Sequence, residues 1–483
     1  MVADADRPDA GWSHKTFALA ALIVAGATIA RVYAARGDFW LDEINAWMMI
    51  FRLEPVEAWW EILLIRQETN HFLNTWILYL LGPEVPWTFY RLPAVLIGAG
   101  AVVMAGLICR RRGSLEVLTA MLLVGASYPL IHYSSEARGY FYVVFFSFLS
   151  LFLADRSLAS PRLRWELLFS ICATIGILAQ LLYLYCFVSI AVWGVWRMWR
   201  EGRTWRAIAI KAVRLHSLPV VFTTLLYVVT IQHMQGVGGP TLPLGEVIVT
   251  TLSLTAGGPD AGVMAVAVAL LLCLALIGGL WLLRKERSDW WVFYVSVGCV
   301  APLLLIVVVN RPFVYPRYFL ISAAFLLLLL SHALAGLARI ERFGRPLYAL
   351  FVVAFLAGNT IHTIRLIEVG RGAYRDAVVM MEQQTVRPRI TIGSDHDYRN
   401  GFVLDFYRLQ LSLRKDMVYF PSTGWPKRGP EWVLRHSKEA GYRADDIFAD
   451  HHGNTYRLIR QFPYAGLSGW HWAVYHNKNS DGP

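Results

Sequence analysis

The stretch AGVMAVAVALLLCLALIGGLWLL, residues 261–283, decides how the chain is read. It contains no charged side chain, and about 20 apolar residues suffice for a helix to cross the hydrocarbon of a bilayer. There a helix satisfies its own backbone N–H and C=O groups, which water cannot do for it. Directly after the stretch come Arg284, Lys285 and Arg287, whereas the gap before it, from Gln232 to Asp260, holds no Lys or Arg. Basic residues collect in cytoplasmic loops. The flanks therefore orient this segment, with its start outside and its end in the cytoplasm.

Working outward, apolar runs of similar length recur from Thr16 to Ile364. Eleven spans are expected, at 16–35, 88–109, 114–132, 139–155, 165–181, 183–199, 215–231, 261–283, 289–309, 317–338 and 346–365. Basic clusters at Arg110–Arg112, at Arg156, Arg162 and Arg164, from Arg197 to Arg214, at 284–287, and at Arg339, Arg342 and Arg345 fall in alternate gaps. With the N-terminus inside, eleven crossings place everything after Ile364 outside the cytoplasm. The apolar stretch 70–82 is too short to cross unaided, and its crossing would turn Arg110–Arg112 outward. Residues 36–87 are therefore read as one external loop, with amphipathic pieces at 55–66 and 70–81 lying in the interface.

Of the 483 residues 56% are hydrophobic and 16% charged, far from the charged fraction of about 25% in soluble domains. The net charge of +11 sits in the loop clusters, so it reports topology and not a nucleic-acid partner. The first apolar run lacks a small-residue cleavage site and reads as a retained span. Cys109, Cys172, Cys186, Cys273 and Cys299 lie in or beside apolar runs without metal-like spacing and read as small core residues. Past residue 365 the text turns mixed and charged. Helices are expected there at 373–384 and 401–411, with strands at 389–393, 417–420, 456–460 and 470–475. The expected fold is thus a mainly α polytopic membrane protein of about eleven transmembrane helices, residues 1–365, followed by a small extracytoplasmic α/β domain, residues 366–483. Basic inner loops and aromatic span ends suit a bacterial inner membrane.

Residues able to do chemistry gather on the external side. Asp42 and Glu43 follow the first span, and a carboxylate held near the membrane surface by aromatic neighbours can act as general base for an acceptor hydroxyl. The plain alternative is a polar loop start. His71, in the polar run 68–75, suits a substrate, a phosphate or a metal, or else caps the short helix after it. Arg91 opens the second span as a substrate ligand or a helix anchor. Glu136, Arg138 and Tyr140 stand between the third and fourth spans, where an arginine can hold a lipid phosphate or snorkel. Within 310–318, Tyr315, Arg317 and Tyr318 add a cation and two phenols, and Arg311 a further cation. Asp395, Asp397, His451 and His452 resemble metal ligands superficially but read as ordinary loop residues. No phosphate-cradling glycine loop or nucleophile elbow is present, which argues against a nucleotide-driven engine.

The ordered set Asp42-Glu43, His71-Phe72-Leu73, Arg91-Leu92-Pro93, Glu136-Ala137-Arg138-Gly139-Tyr140 and Arg317-Tyr318 resembles the GT-C glycosyltransferases of the protein mannosyltransferase and aminoarabinose transferase type (glycosyltransferase family 39-like). The resemblance covers roughly the first 365 residues. It implies inverting transfer of a sugar from a polyprenyl-phosphate donor to a hydroxyl of a protein, lipid or glycan acceptor. It further implies that Asp42 is the general base, that Glu43 orients the acceptor or a cation, and that Arg138 and Arg317 bind the departing phosphate. Members of that family differ over a divalent cation, so this cofactor stays open. The sequence departs from the family's His-Pro-Leu step, where Asn70-His71-Phe72-Leu73 lacks the proline. A transporter or flippase of a lipid-linked sugar would also need external cations, but its charges would sit nearer the midplane. A lipid-linked glycan ligase or polymerase would share the outer site and differ in the donor.

Overall fold

The computed structural model describes residues 12–65, 71–160, 162–234, 241–309, 314–439 and 441–478. They divide into two compact units, one comprising the chain up to Ala35 and from Val56 to Thr363, the other Arg36 to Pro55 and everything from Ile364 onward.

The first unit is helical throughout, and its helices make the chain an integral membrane protein with multiple spans. Each expected span lies on a helix. Among the described residues eight helices are long and apolar enough to cross a bilayer, or nine when the bent pair Ser114–Ala126 and Tyr128–Ser134 counts as one. Eleven were expected, and the shortfall lies in Leu163–Ala179, which has 17 residues, and Tyr183–Arg200, which has 18 and carries Arg197 and Arg200 in its last turn. At a rise of about 1.5 Å per residue both fall a little short of the roughly 30 Å hydrocarbon core. The gap before residue 261, read as loop, contains a further helix, Leu244–Thr255, which buries Val247, Thr251 and Leu254. The interfacial piece expected at 70–81 is the helix Phe72–Leu81, whereas that at 55–66 yields only a single 3-10 turn, Glu61–Leu64.

The bend of 59° between Ser114–Ala126 and Tyr128–Ser134 has a definite cause. Pro129 has no N–H, so the carbonyl of Gly125, four residues back, loses its helical partner. Arg31, wholly buried in the helix His14–Ala34, donates to that carbonyl at 2.9 Å and to the carbonyl of Val124 at 3.4 Å. The Tyr128 N–H, which would have served Val124, donates instead to Asn359 Oδ1 at 2.6 Å. The break is therefore satisfied on both sides, as a buried backbone must be. It delivers the chain to the polar turn 135–139.

In the second unit six strands form one mixed sheet: β1 Arg389–Ser394, β2 Asp416–Phe420, β3 Trp432–Ser437, β4 Ile447–Ala449, β5 Thr455–Phe462 and β6 His471–Asn477. Their order is β2-β1-β3-β6-β5-β4, parallel among the first three and antiparallel beyond. β3 and β4 escaped the sequence reading because β4 has only three residues and the first half of β3 is buried without alternation. The helices Tyr374–Gln384 and Phe402–Gln410 sit close to expectation. Residues 36–55 complete this unit's core. Phe39 stacks on Phe406 with ring centres 6.1 Å apart, Trp47 meets Phe406 edge-on at 5.4 Å, and Tyr407 Oη donates to the Phe39 carbonyl at 2.9 Å. Asp38 Oδ2 accepts from the Arg375 N–H at 2.8 Å, a cap on the first turn of a helix more than three hundred residues later.

Candidate functional site

The turn between Tyr128–Ser134 and the helix Tyr140–Ala159 is buried almost entirely, including Ser135, Glu136, Ala137 and Arg138. A buried turn needs partners for its backbone. Asn74 supplies one, its Nδ2 donating to the Ala137 carbonyl at 2.8 Å. Asn74 stands three residues after His71, the N-cap of Phe72–Leu81, so one helix face presents both toward the turn. The His71 ring meets Tyr140 edge-on, with centres 4.8 Å apart. Gly139 lets this approach happen, because a Cβ there would collide with the Ala179 carbonyl and lie 2.5 Å from His71 Nδ1.

Two guanidinium groups converge on the same ring. The Arg138 head lies 5.9 Å from the Tyr140 centroid and that of Arg317 lies 5.8 Å from it. Arg317 also stands over Tyr315 at 4.7 Å and Tyr318 at 6.0 Å, a π-rich cradle that positions the guanidinium. Burial, with Arg138 and Arg317 beside it, holds the His71 pKa well below its usual 6.5, so His71 is neutral at neutral pH. The helices beginning at Phe72 and Tyr140 both start without a side-chain cap. Their first N–H groups and positive dipole ends belong to the same neighbourhood. Fixed cations, a neutral imidazole and helix N-termini in a water-poor setting favour an anion.

Of the residues singled out in the sequence, His71, Arg138 and Arg317 thus meet around the ring of Tyr140, and Tyr315 and Tyr318 stand against Arg317. Glu136, fully buried behind them, holds His132 Nε2 at 3.1 Å. Arg91 is buried and donates to the Ala35 carbonyl at 3.0 Å, at the C-terminal end of the first helix, where a cation complements the helix dipole. Asp42 and Glu43 belong to the second unit, in the first turn of the helix Leu41–Met48. Asp42 is half-buried, and buried Glu43 accepts the Trp40 N–H at 3.4 Å. Glu68, Thr69 and Asn70, and Asn310 to Phe313 with Arg311, lie outside the described residues.

Sequence reasoning gave Asn74 and Gly139 no role of their own, though both lay in quoted motifs, and missed His132 and the Ala179 carbonyl. The helical spacing of Asn74 from His71, and a glycine between Arg138 and Tyr140, were the available signals. In the tail, Asp395 Oδ1 holds His436 Nδ1 at 2.9 Å, while Asp397 binds the Ser422 hydroxyl at 2.7 Å and that of Tyr419 at 2.7 Å. These contacts fix the ends of β1, β2 and β3. Among the described residues no group of three or more His, Cys, Asp or Glu side chains is arranged to hold a metal ion.

No family model and no curated protein matches the sequence. Solved structures do. ArnT from Cupriavidus metallidurans in the apo state aligns with a TM-score of 0.55 at 13% identity, over 97% of this chain and 100% of that one. The same protein bound to undecaprenyl phosphate gives 0.51 at 14% identity, over 98% and 100%. The archaeal oligosaccharyltransferase AglB from Archaeoglobus fulgidus, in complex with an inhibitory peptide and a dolichol-phosphate, gives 0.50 at 9% identity, over 88% of this chain and 70% of that one. At such identities the likeness is one of architecture. A helical membrane body followed by a six-stranded mixed sheet, aligned with ArnT along nearly the whole chain, gives this protein an ArnT-like GT-C fold.

Proposed function

We propose that this chain is an inverting glycosyltransferase that moves a sugar from a polyprenyl-phosphate donor to an acceptor hydroxyl on the extracytoplasmic face of the membrane. One observation carries the reading: Arg138 and Arg317 flank Tyr140 beside a His71 that burial and those same arginines keep uncharged. Such a site suits a phosphate on a membrane-embedded carrier. That the similar ArnT was solved holding undecaprenyl phosphate, and AglB a dolichol-phosphate, supports a donor of this class.

In this mechanism Asp42 accepts the proton of the acceptor hydroxyl as its oxygen bonds to the anomeric carbon from the face opposite the phosphate. The anomeric C–O bond to the phosphate breaks, and its electron pair stays on the phosphate oxygen. A singly charged diester thereby leaves as a monoester of about −1.5 to −2. Arg138 and Arg317 are placed where that charge grows, so they stabilise the transition state more than the bound donor. Tyr318, Tyr315 and Tyr140 hold Arg317 and line the donor site; His71 and Glu136 complete its wall; Glu43 orients the acceptor or a cation, and Arg91 anchors the first helix close to Asp42 in sequence. Basic clusters in alternate loops support placing this chemistry outside the cytoplasm.

The test is Asp42→Asn, which keeps the shape and removes the base. Sugar transfer in membranes is expected to fall by about 10²-fold or more, with polyprenyl-phosphate binding retained. Undiminished transfer would remove Asp42 from the mechanism.

A further inference from the structure

We infer that the helical unit binds an anionic phospholipid, with an acyl chain in a tryptophan-lined groove between the helices Tyr183–Arg200 and Trp205–Val229 and the headgroup on arginines at the groove's end. This site does not depend on the glycosyltransferase reading.

The groove follows from how the two helices are held. Lys211, buried on Trp205–Val229, donates to Glu166 Oε1 at 2.6 Å and to the Ser157 hydroxyl at 2.8 Å, and Ser170 Oγ donates to the Leu215 carbonyl at 2.9 Å. That helix is thereby fixed to Tyr140–Ala159 and Leu163–Ala179. Tyr183–Arg200 instead lays Trp193 against Trp290 and Phe293, with ring centres 5.3 Å and 6.3 Å apart. Although only residues 201–204 join them, the two helices thus lean on different neighbours. A groove of about 650 Å³ is left between them, lined by Ala191, Val192, Val195, Trp196, Trp199 and Trp205. That volume lies within the roughly 300–1,000 Å³ of pockets that hold a ligand, and its walls suit hydrocarbon.

Trp199 and Trp205 flank the turn at one end of the groove, and a second turn stands beside it. Arg200 Nη1 donates to the Arg287 carbonyl at 3.3 Å, and Arg197 meets Asp289 at 3.6 Å. Residues 197–206 and 284–289 together hold seven basic and three acidic side chains. The acids are already engaged: Glu201 by Arg197 at 3.2 Å and Arg203 at 2.8 Å, Asp289 by Arg197, and Glu286 by His332 at 3.4 Å. Arg200, Arg206 and Arg284 are exposed and form no salt bridge among the described residues. Arg284 rests on the Trp291 ring at 4.9 Å, and Trp291 meets Trp196 of the groove wall at 5.9 Å. Surplus cations and an apolar wall are therefore one ring apart. A free anion would leave the groove unused and a neutral lipid would leave the arginines unused, whereas an anionic phospholipid uses both.

The occupant is a phospholipid with a net negative headgroup, of the phosphatidylglycerol type. The experiment uses the full chain in phosphatidylcholine nanodiscs doped with phosphatidylglycerol, with lipid retention counted by native mass spectrometry. Phosphatidylglycerol is expected to stay bound, and neither phosphatidylcholine nor added inorganic phosphate to displace it. R284Q should lose about fivefold in affinity and R200Q/R284Q about tenfold or more. A191F, which fills the groove and keeps every charge, should lose about fivefold or more. R342Q/R345Q, which removes as much charge from a turn that does not line the groove, should bind as wild type does. R284Q, at an exposed position, carries the test if another variant misfolds. The inference is overturned if R284Q or a folded A191F retains full affinity, if R342Q/R345Q loses as much as R200Q/R284Q, or if phosphatidylcholine binds equally. It is also overturned if the spectra show a dimer that A191F abolishes, which would assign the groove to a second copy of the chain.

Discussion

His71 shows how much a single residue's surroundings decide. In the sequence it is a lone histidine, open to substrate, phosphate, metal or capping. In the fold its ring is buried against Tyr140, and that burial, with two guanidinium groups beside it, depresses its pKa. The pH consequence has a definite sign. The folded pKa lies below the unfolded value of about 6.5, so the unfolded chain takes up a proton that the folded chain refuses. Stability is therefore full above about pH 6.5 and declines as the pH falls below it. Melting curves between pH 7 and pH 5 should show this slope, at most about 1.4 kcal/mol per pH unit from this group, and His71→Asn, which cannot titrate, should reduce it. An unchanged slope in that variant would mean that His71 is not the buried neutral group described. Asp42-Glu43, Arg138 and Arg317 stood out in the sequence as candidates because charge beside an apolar run is rare and costly. Gly139 was not, because its reason is a contact with the Ala179 carbonyl, forty residues away.

At the scale of elements, the spans were legible and the bend was not. Apolar length alone located every long helix. What turns the chain at Ser127 is a proline whose stranded carbonyl is met by Arg31, and an N–H met by Asn359, both supplied from other helices. Hydropathy does not record such partners. Asn359→Leu is expected to leave the buried Tyr128 N–H unsatisfied and to destabilise the protein by about 1–3 kcal/mol. A lowered melting temperature in micelles checks this, and wild-type stability in N359L would contradict the role given to Asn359. The two helices that fall short of the span count differ for a readable reason, one being of 17 residues and the other ending in arginines. β3 and β4 were lost because a short, buried strand carries neither alternation nor length.

At the scale of the whole molecule, the sequence shows two compositions, and the boundary near residue 365 is where they change. The structure adds that residues 36–55, which directly follow the first helix, belong to the unit built mainly from the C-terminal residues. Nothing local could reveal this, since the joining bonds, such as Tyr407 to Phe39 and Arg375 to Asp38, link residues more than three hundred positions apart. Asp42 and Glu43 are thereby carried on a helix of the second unit, while the arginines proposed to hold the donor stand in the first.

The claim on which the rest depends is that Arg138 and Arg317 form a site for a carrier lipid's phosphate. Equilibrium binding of undecaprenyl phosphate to the purified chain, compared between wild type and Arg138→Gln, tests it most directly. Affinity is expected to fall by about tenfold or more in R138Q, as for loss of a charge-assisted hydrogen bond to a phosphate, with the melting temperature of the lipid-free protein largely kept. Wild-type affinity in a folded R138Q protein would contradict it.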